Sequence, residues 1–267
     1  MDTHSAVDDI WQTIRTEAAQ ASAEEPVLAS FFHAAILNHD SFASAISFHL
    51  SNKLDSQAVP AMMIREVFDA AMAQEPEIEA AMRADIRAHR ERDPACDRYF
   101  TPFLFFKGYH ALQAYRFAHY LWRSERRSLA LYLQNQISQM FDVDIHPGAR
   151  IGRGIMIDHA TGVVVGETAV VEDNVSILHA VTLGGTGREG GDRHPKIREG
   201  VLISAGAKIL GNIEVGAGAK VGAGSVVLDS VPARTTVAGV PARIVGRPRG
   251  ESPARDMDHD LNGNGNY

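Results

Sequence analysis

One cysteine, Cys96, and twelve histidines leave any reactive centre to be built from His, Asp, Glu and backbone, because a single thiol makes neither an internal disulfide nor a thiolate metal cluster. His159 is the leading candidate base. It follows Asp158 and precedes Ala160, Thr161 and Gly162, small residues that leave room for a ligand. Asp144, fifteen residues earlier, is a carboxylate that can fix an imidazole tautomer. Arg193 and His194 stand together in a Gly-rich stretch, and a guanidinium there can hold both oxygens of a carboxylate. Each also has a plain reading. A lone histidine is more often a hydrogen-bonded surface group, Asp144 fits a turn before Ile145-His146-Pro147, Arg193 fits a solvated loop charge, and Asp93 fits a helix end before Pro94. His159, His179 and His194 are separated by 20 and 15 residues, unlike the short ligand pair of a histidine metal site, so no metal is expected.

The chain of 267 residues is 45% apolar, which is the composition of a globular protein with a real core. Its net charge of -7 and scattered Lys and Arg offer no basic face, so nucleic acid is not an expected partner. Its longest apolar runs, such as Val27 to Leu37, are interrupted by polar residues and fall short of the roughly 20 that a membrane span needs. Asp2, Asp8 and Asp9 break the basic-then-apolar order of a signal peptide, and the cytoplasm is the expected compartment.

Two periods divide the sequence. Residues 1–141 read as helices, with Ile64, Val67, Phe68 and Ala71 on one face and similar segments near 5–22, 27–38, 42–54, 77–91 and 108–140. After Asp142 an aliphatic residue recurs every six: Ile145, Ile151, Ile157, Val163, Ala169, Val175, Val181, then Ile197, Ile203, Ile209, Val215, Val221 and Val227. Neither a helix nor an ordinary strand keeps a strict period of six, whereas a parallel β-helix does, so 142–246 is expected to be such a coil. The register skips between Val181 and Ile197, where ten residues, 187–196, are expected to project as a loop with a function. Removing them places His159, Ile177, Ala205 and Ala223 in one column. Residues 247–267 have few apolar side chains to bury and are expected to be a flexible tail.

Helices followed by hexads, with Asp93-Pro94-Ala95, Val143-Asp144-Ile145-His146-Pro147, Ile157-Asp158-His159-Ala160-Thr161-Gly162, Leu183-Gly184-Gly185-Thr186-Gly187 and Arg193-His194-Pro195-Lys196, resemble the serine acetyltransferase family. The resemblance implies an α+β chain with a left-handed parallel β-helix. It also implies acetyl transfer from acetyl-CoA to the hydroxyl of L-serine, giving O-acetyl-L-serine and CoA, the first step of cysteine biosynthesis from serine. His159 is then the general base, oriented by Asp144. Asp93 and Asp158 take serine's ammonium, Arg193 its carboxylate, and His194 contacts substrate and the developing oxyanion. CoA would lie along Ala205 and Ala223, with Gly184, Gly185 and Thr186 lining the approach and Lys220 and Arg243 meeting its phosphates. The family further implies inhibition by L-cysteine, a homotrimer with sites between subunits or a hexamer made as a dimer of trimers, and docking of the C-terminal tail on O-acetylserine sulfhydrylase. Here the chain ends in Tyr267 where the family often closes with isoleucine, so that complex is expected to be weak. Two competing readings are an acetyltransferase for a sugar or xenobiotic hydroxyl, and a β-helix that scaffolds partners without catalysis.

Overall fold

The computed structural model describes residues 3–187 and 190–261, which fall into two compact units, Met1–Phe106 and Lys107–Tyr267. The first unit is helical, with long helices at Thr3–Glu24, Phe42–Lys53, Ala61–Gln74 and Glu77–Arg92. Ser41 starts the second of these by accepting the Ser44 N–H at 3.2 Å, an ordinary N-cap. Ile64, Phe68 and Ala71 of the expected stripe are buried. Trp11, Phe42 and Phe103 meet with ring centroids 6.3, 6.4 and 5.5 Å apart. The expected helix near 27–38 is present as a contiguous helical run whose winding changes along it, through Pro26–Leu28, Ala29–Phe32 and His33–Leu37. No helix among the described residues is long and apolar enough to cross a membrane.

The second unit begins earlier than the change of period at Asp142. Helices Lys107–Arg123 and Arg127–Phe141 pack on the coil rather than standing apart from it. Their polar groups explain why. Tyr115 donates its hydroxyl to the Ala149 carbonyl, Arg116 donates to Gly152 O at 2.7 Å, and His119 Nδ1 is 2.7 Å from Pro147 O. The first helix lies so close to the coil that a Cβ on Gly108 would sit 2.1 Å from the Ile157 carbonyl oxygen. Gly108→Ala is therefore expected to destabilise this unit by about 1–3 kcal/mol through overpacking. Thermal melting at fixed protein concentration checks it, and an unchanged Tm would mean that the helix can lift away at no cost.

The coil is a parallel β-helix of three sheets, with the strands beginning at Val143–Ile145, Arg150–Ile151 and Met156–Ile157 each starting one. Register corrects the strict count of sixes. Ile157 pairs with Ile177, twenty residues on; Ile177 pairs with Ile203, twenty-six on; Ile203 pairs with Val221, eighteen on. Three hexads make eighteen, so the first coil carries two extra residues and the second carries eight rather than ten. Ile151 pairs with Val171 at a spacing of twenty, but Val165 pairs with Leu183 at eighteen, which locates the extra pair between Ile157 and Val165, at the His159 corner. The eight lie between Leu183 and Ile197, since Val171 pairs with Ile197. Periodicity hid the first shift because strands bury two inward rows. Val143 and Ile145, Val163 and Val165, and Val181 and Leu183 are all at most 2% exposed, so a run of sixes slides from one row to the other unseen.

The segment expected to be flexible from residue 247 packs on the coil as far as Leu261. Pro253–Asp256 is a helical turn, Ala254 is fully buried, and its carbonyl accepts the Ser176 hydroxyl at 2.7 Å. His259 Nδ1 lies 3.0 Å from Ser204 Oγ, and Arg249 pairs with Asp260 at 2.6 Å. Local polar bonds to one sheet face do here what apolar burial did not promise. Residues 262–267, including Tyr267, lie outside the described residues.

Candidate functional site

His159 sits at the expanded corner. Both it and Ala160 have positive φ, 56° and 61°, which turns the chain sharply and throws the imidazole outward, so that its side chain is 73% exposed. The corner is held by backbone bonds: Gly162 N–H to Asp142 O at 2.8 Å, and Ala180 N–H to Thr161 O at 2.7 Å. Asp158 Oδ2 is 3.5 Å from His159 Nε2. Because of the two extra residues, the position beneath His159 is His179 and not Ile177, which is buried in the core. The column is His159, His179, Ala205 and Ala223. His179 is exposed rather than packed, and its ring meets that of His159 edge-on at 5.8 Å.

Asp144 points outward from its strand but does not bond to His159. Its Oδ1 accepts the side-chain amide of Gln134 at 2.7 Å, so the expected pair is not formed in this conformation. Arg193 and His194 form a second cluster. Arg193 donates to Glu167 at 2.7 Å and to Gly191 O at 3.1 Å. The Arg193 hydrogen bond, above all, holds the Glu167 carboxyl below the usual carboxylate range. His194 is buried, and burial and then the neighbouring Arg193 charge push its imidazole down from the ordinary value. Thr168 ties this cluster together: its hydroxyl accepts the Arg193 and His194 N–H groups at 3.0 and 3.1 Å, and its carbonyl accepts Lys196 Nζ at 2.9 Å. No hydrogen bond or ion pair among the described residues joins this cluster to His159.

Among the remaining expected residues, Gly184 ends the strand Thr182–Gly184, Gly185 lies beside the Arg193–His194 loop, and Thr186 is exposed. Lys220 departs from expectation. It is 2% exposed, with Nζ donating to Asp260 O and 3.8 Å from Asp258, so the tail and not solvent surrounds it. Arg243 is exposed on the closing hairpin, and its side chain donates to the Ala242 carbonyl. In the first unit, Asp93 ends the helix Glu77–Arg92, and its Oδ1 accepts the Ala95 N–H at 2.8 Å. The Cys96 thiol is buried and pushed up to about 11 by that burial, which makes it a poor nucleophile. His146 Nδ1 accepts the Gly148 N–H at 2.9 Å, which fixes the turn after its strand. No group of three His, Cys, Asp or Glu side chains among the described residues could hold a metal ion.

A family described as "Serine acetyltransferase, N-terminal" matches residues 10–114, and one described as "Bacterial transferase hexapeptide (six repeats)" matches residues 194–229. The serine acetyltransferase of Escherichia coli (strain K12) is 63% identical over 254 residues, which cover 95% of this chain and 93% of that protein. The chain belongs to the serine acetyltransferase family. A solved serine acetyltransferase in complex with cysteine is 59% identical, with a TM-score of 0.93 over 94% of this chain and 98% of that one. The serine acetyltransferase of Brucella abortus strain S19 in complex with coenzyme A is 54% identical, with a TM-score of 0.90 over 92% of this chain and 98% of that one. As a serine acetyltransferase the chain is an acyltransferase, and its coil is the left-handed β-helix of the hexapeptide transferases.

Sequence reading missed Gln134, Glu167 and Thr168. Glu167 and Thr168 follow Gly166 directly after the run Val163-Val164-Val165, at the corner one coil below the insertion, and a loop needs an anchor at such a place. Gln134 carried no signal, because its partner Asp144 comes from a different element.

Proposed function

We propose that His159 is the general base for acetyl transfer from acetyl-CoA to the hydroxyl of L-serine. As the serine oxygen attacks the thioester carbonyl, its proton passes to the imidazole. Collapse of the tetrahedral adduct breaks the C–S bond, and the departing thiolate takes that proton back as CoA–SH. The observation that carries this reading is the outward imidazole of the widened corner, at the head of a column that continues through His179 to the small residues Ala205 and Ala223. Ala205 and Ala223 have no hydrogen-bond partner for their N–H groups among the described residues, which suits a pantetheine arm laid along the coils. Asp158, 3.5 Å from His159, and Asp93 would receive the ammonium, and Arg193 the carboxylate. Asp144 would take up the imidazole only by giving up Gln134. Asp144→Asn should then lower turnover while preserving the fold; unchanged kinetics would leave Asp144 as a turn residue only. A phosphate contact at Lys220 likewise requires Asp258 and Asp260 to withdraw.

The site is incomplete in one chain on this reading, since His159 and Arg193 belong to separate clusters and the His159 ring is largely open to solvent. A homotrimer bringing one subunit's Arg193 loop to its neighbour's His159 would close it, and two trimers could pair as a hexamer. Co-expressing His159→Ala and Arg193→Ala chains tests this. Random mixing should restore about a quarter of the wild-type sites in a cyclic oligomer, whereas a site within one chain would recover nothing. CoA release with L-serine set against sugar and other alcohol acceptors tests the acceptor. L-cysteine, which shares serine's ammonium and carboxylate, should inhibit at the same site.

A further inference from the structure

Thr168 makes an unusual set of bonds to one imidazole. Its hydroxyl oxygen accepts two backbone N–H groups, from Arg193 at 3.0 Å and His194 at 3.1 Å, which occupies both lone pairs. The hydroxyl proton must then go elsewhere: His194 Nδ1 lies 2.9 Å away, and the Asp192 carboxylate, held below its ordinary value in part by a hydrogen bond from Thr168, is a second acceptor in reach. The Thr168 backbone N–H points at the same nitrogen from 3.2 Å. His194 Nδ1 therefore faces a backbone N–H donor and a hydroxyl whose lone pairs are already taken, and no acceptor. A proton there would be opposed by both, so the ring carries its hydrogen on Nε2. The Nε2 edge lies against Gly166, where a Cβ would come within 2.1 Å, and 3.8 Å from the place a Cβ would take on Gly185. Nε2 has no hydrogen-bond partner among the described residues, although the residue is only 7% exposed. Burial first, then Arg193, Lys196 and the titratable His146, disfavour a second proton on the ring, and Glu167 favours it.

We infer that Thr168 is a positioning residue that locks His194 as a neutral imidazole with an N–H donor at Nε2, presented to an oxygen of the substrate or of the tetrahedral adduct. The inference rests on His194 belonging to the serine site. A neutral donor of this kind stabilises developing negative charge without competing with His159 for the serine proton. Thr168 also pins the loop, so the test needs a readout that loop anchoring alone would not move.

Magic-angle-spinning NMR of the enzyme labelled with 15N-histidine, assigned with His194→Gln, reads the tautomer directly. The expected spectrum has a pyridine-type Nδ1 and a pyrrole-type Nε2 for His194, with no protonation as pH falls through the usual imidazole range. Thr168→Val, which removes the hydroxyl but keeps the shape, should give mixed tautomers and lower kcat about tenfold, with KM for acetyl-CoA unchanged. Thr168→Ser should restore both. A wild-type His194 protonated at Nδ1, or ordinary titration of the wild-type ring, would overturn the proposal without recourse to a variant that may fold poorly. Thr168→Val keeping a pure Nε2–H tautomer would also overturn it. Unaltered kinetics for His194→Ala, with the expected wild-type spectrum, would instead remove His194 from the serine site and with it the donor role, so the two failures read differently.

Discussion

His159→Ala is expected to lower turnover by at least about 10², the lower end for losing a general base, while affinity for CoA stays near that of the parent enzyme. The separation follows from the column. Two coils lie between His159 and Ala223, and the backbone groups at Ala205 and Ala223 that would hold the pantetheine arm belong to other turns, so truncating the imidazole does not disturb them. The corner should keep its shape as well, because it is fixed by backbone bonds at Gly162 and Ala180 and not by the imidazole. Asp158, at 3.5 Å, would not replace it, since a carboxylate is a weaker base for an alcohol proton near neutral pH. Single-turnover and steady-state assays with equilibrium CoA titration give the two numbers separately. Turnover near that of the parent would remove His159 from the mechanism, and a parallel loss of CoA affinity would mean that the histidine shapes the column.

Much of this arrangement was legible in the residue order, and the parts that were not share a cause. Helices and coil announced themselves by period, and the inward Ile and Val rows are buried as the hexads require. The register was misread at the place that matters, because Val163, Val164 and Val165 present an aliphatic residue at either count, and only strand pairing shows that two residues were added beside His159. That error put Ile177 in the column in place of His179. The tail was misread for a different reason. Its composition lacks apolar surface, yet Ser176, Ser204 and Lys220 on the coil supply polar partners that no local pattern in residues 250–261 reveals. Gln134 on Asp144 and Thr168 on His194 are likewise bonds between elements far apart in sequence. Residue types told which side chains have the right chemistry; which of them meet is a property of the packed coil.

Arg193→Ala should raise the KM for serine and the inhibition constant for cysteine by the same factor, roughly 10- to 100-fold, as expected from about 1.5–3 kcal/mol for a hydrogen bond to a charged group. Serine and cysteine share an ammonium and a carboxylate and differ only in the third substituent, so a residue that grips the carboxylate cannot tell them apart. The guanidinium suits that task because it is already oriented. Glu167 holds one amino group at 2.7 Å, Gly191 O holds the other at 3.1 Å, and the backbone beneath is pinned to Thr168. The Glu167 tether has a definite pH sense. Arg193 lowers the folded carboxyl relative to the unfolded one, so the tether is present above the ordinary carboxylate value and is lost as pH falls through the lowered one. Loss of the arginine should leave kcat at saturating serine less affected than kcat/KM, since on the proposed reading the hydroxyl would still meet His159 once the substrate is bound. Cysteine should be competitive with serine in the parent and in the variant alike. Its thiol would sit where the serine hydroxyl meets His159 and, being more easily ionised, would gain a charge-assisted contact with a protonated imidazole that serine lacks. Changes at His159 should therefore alter the preference for cysteine over serine, and changes at Arg193 should not. Double-reciprocal series for the parent and both variants decide the matter: cysteine inhibition noncompetitive with serine, or an Arg193→Ala enzyme that loses cysteine inhibition while keeping its serine KM, would mean that the two amino acids bind at different places.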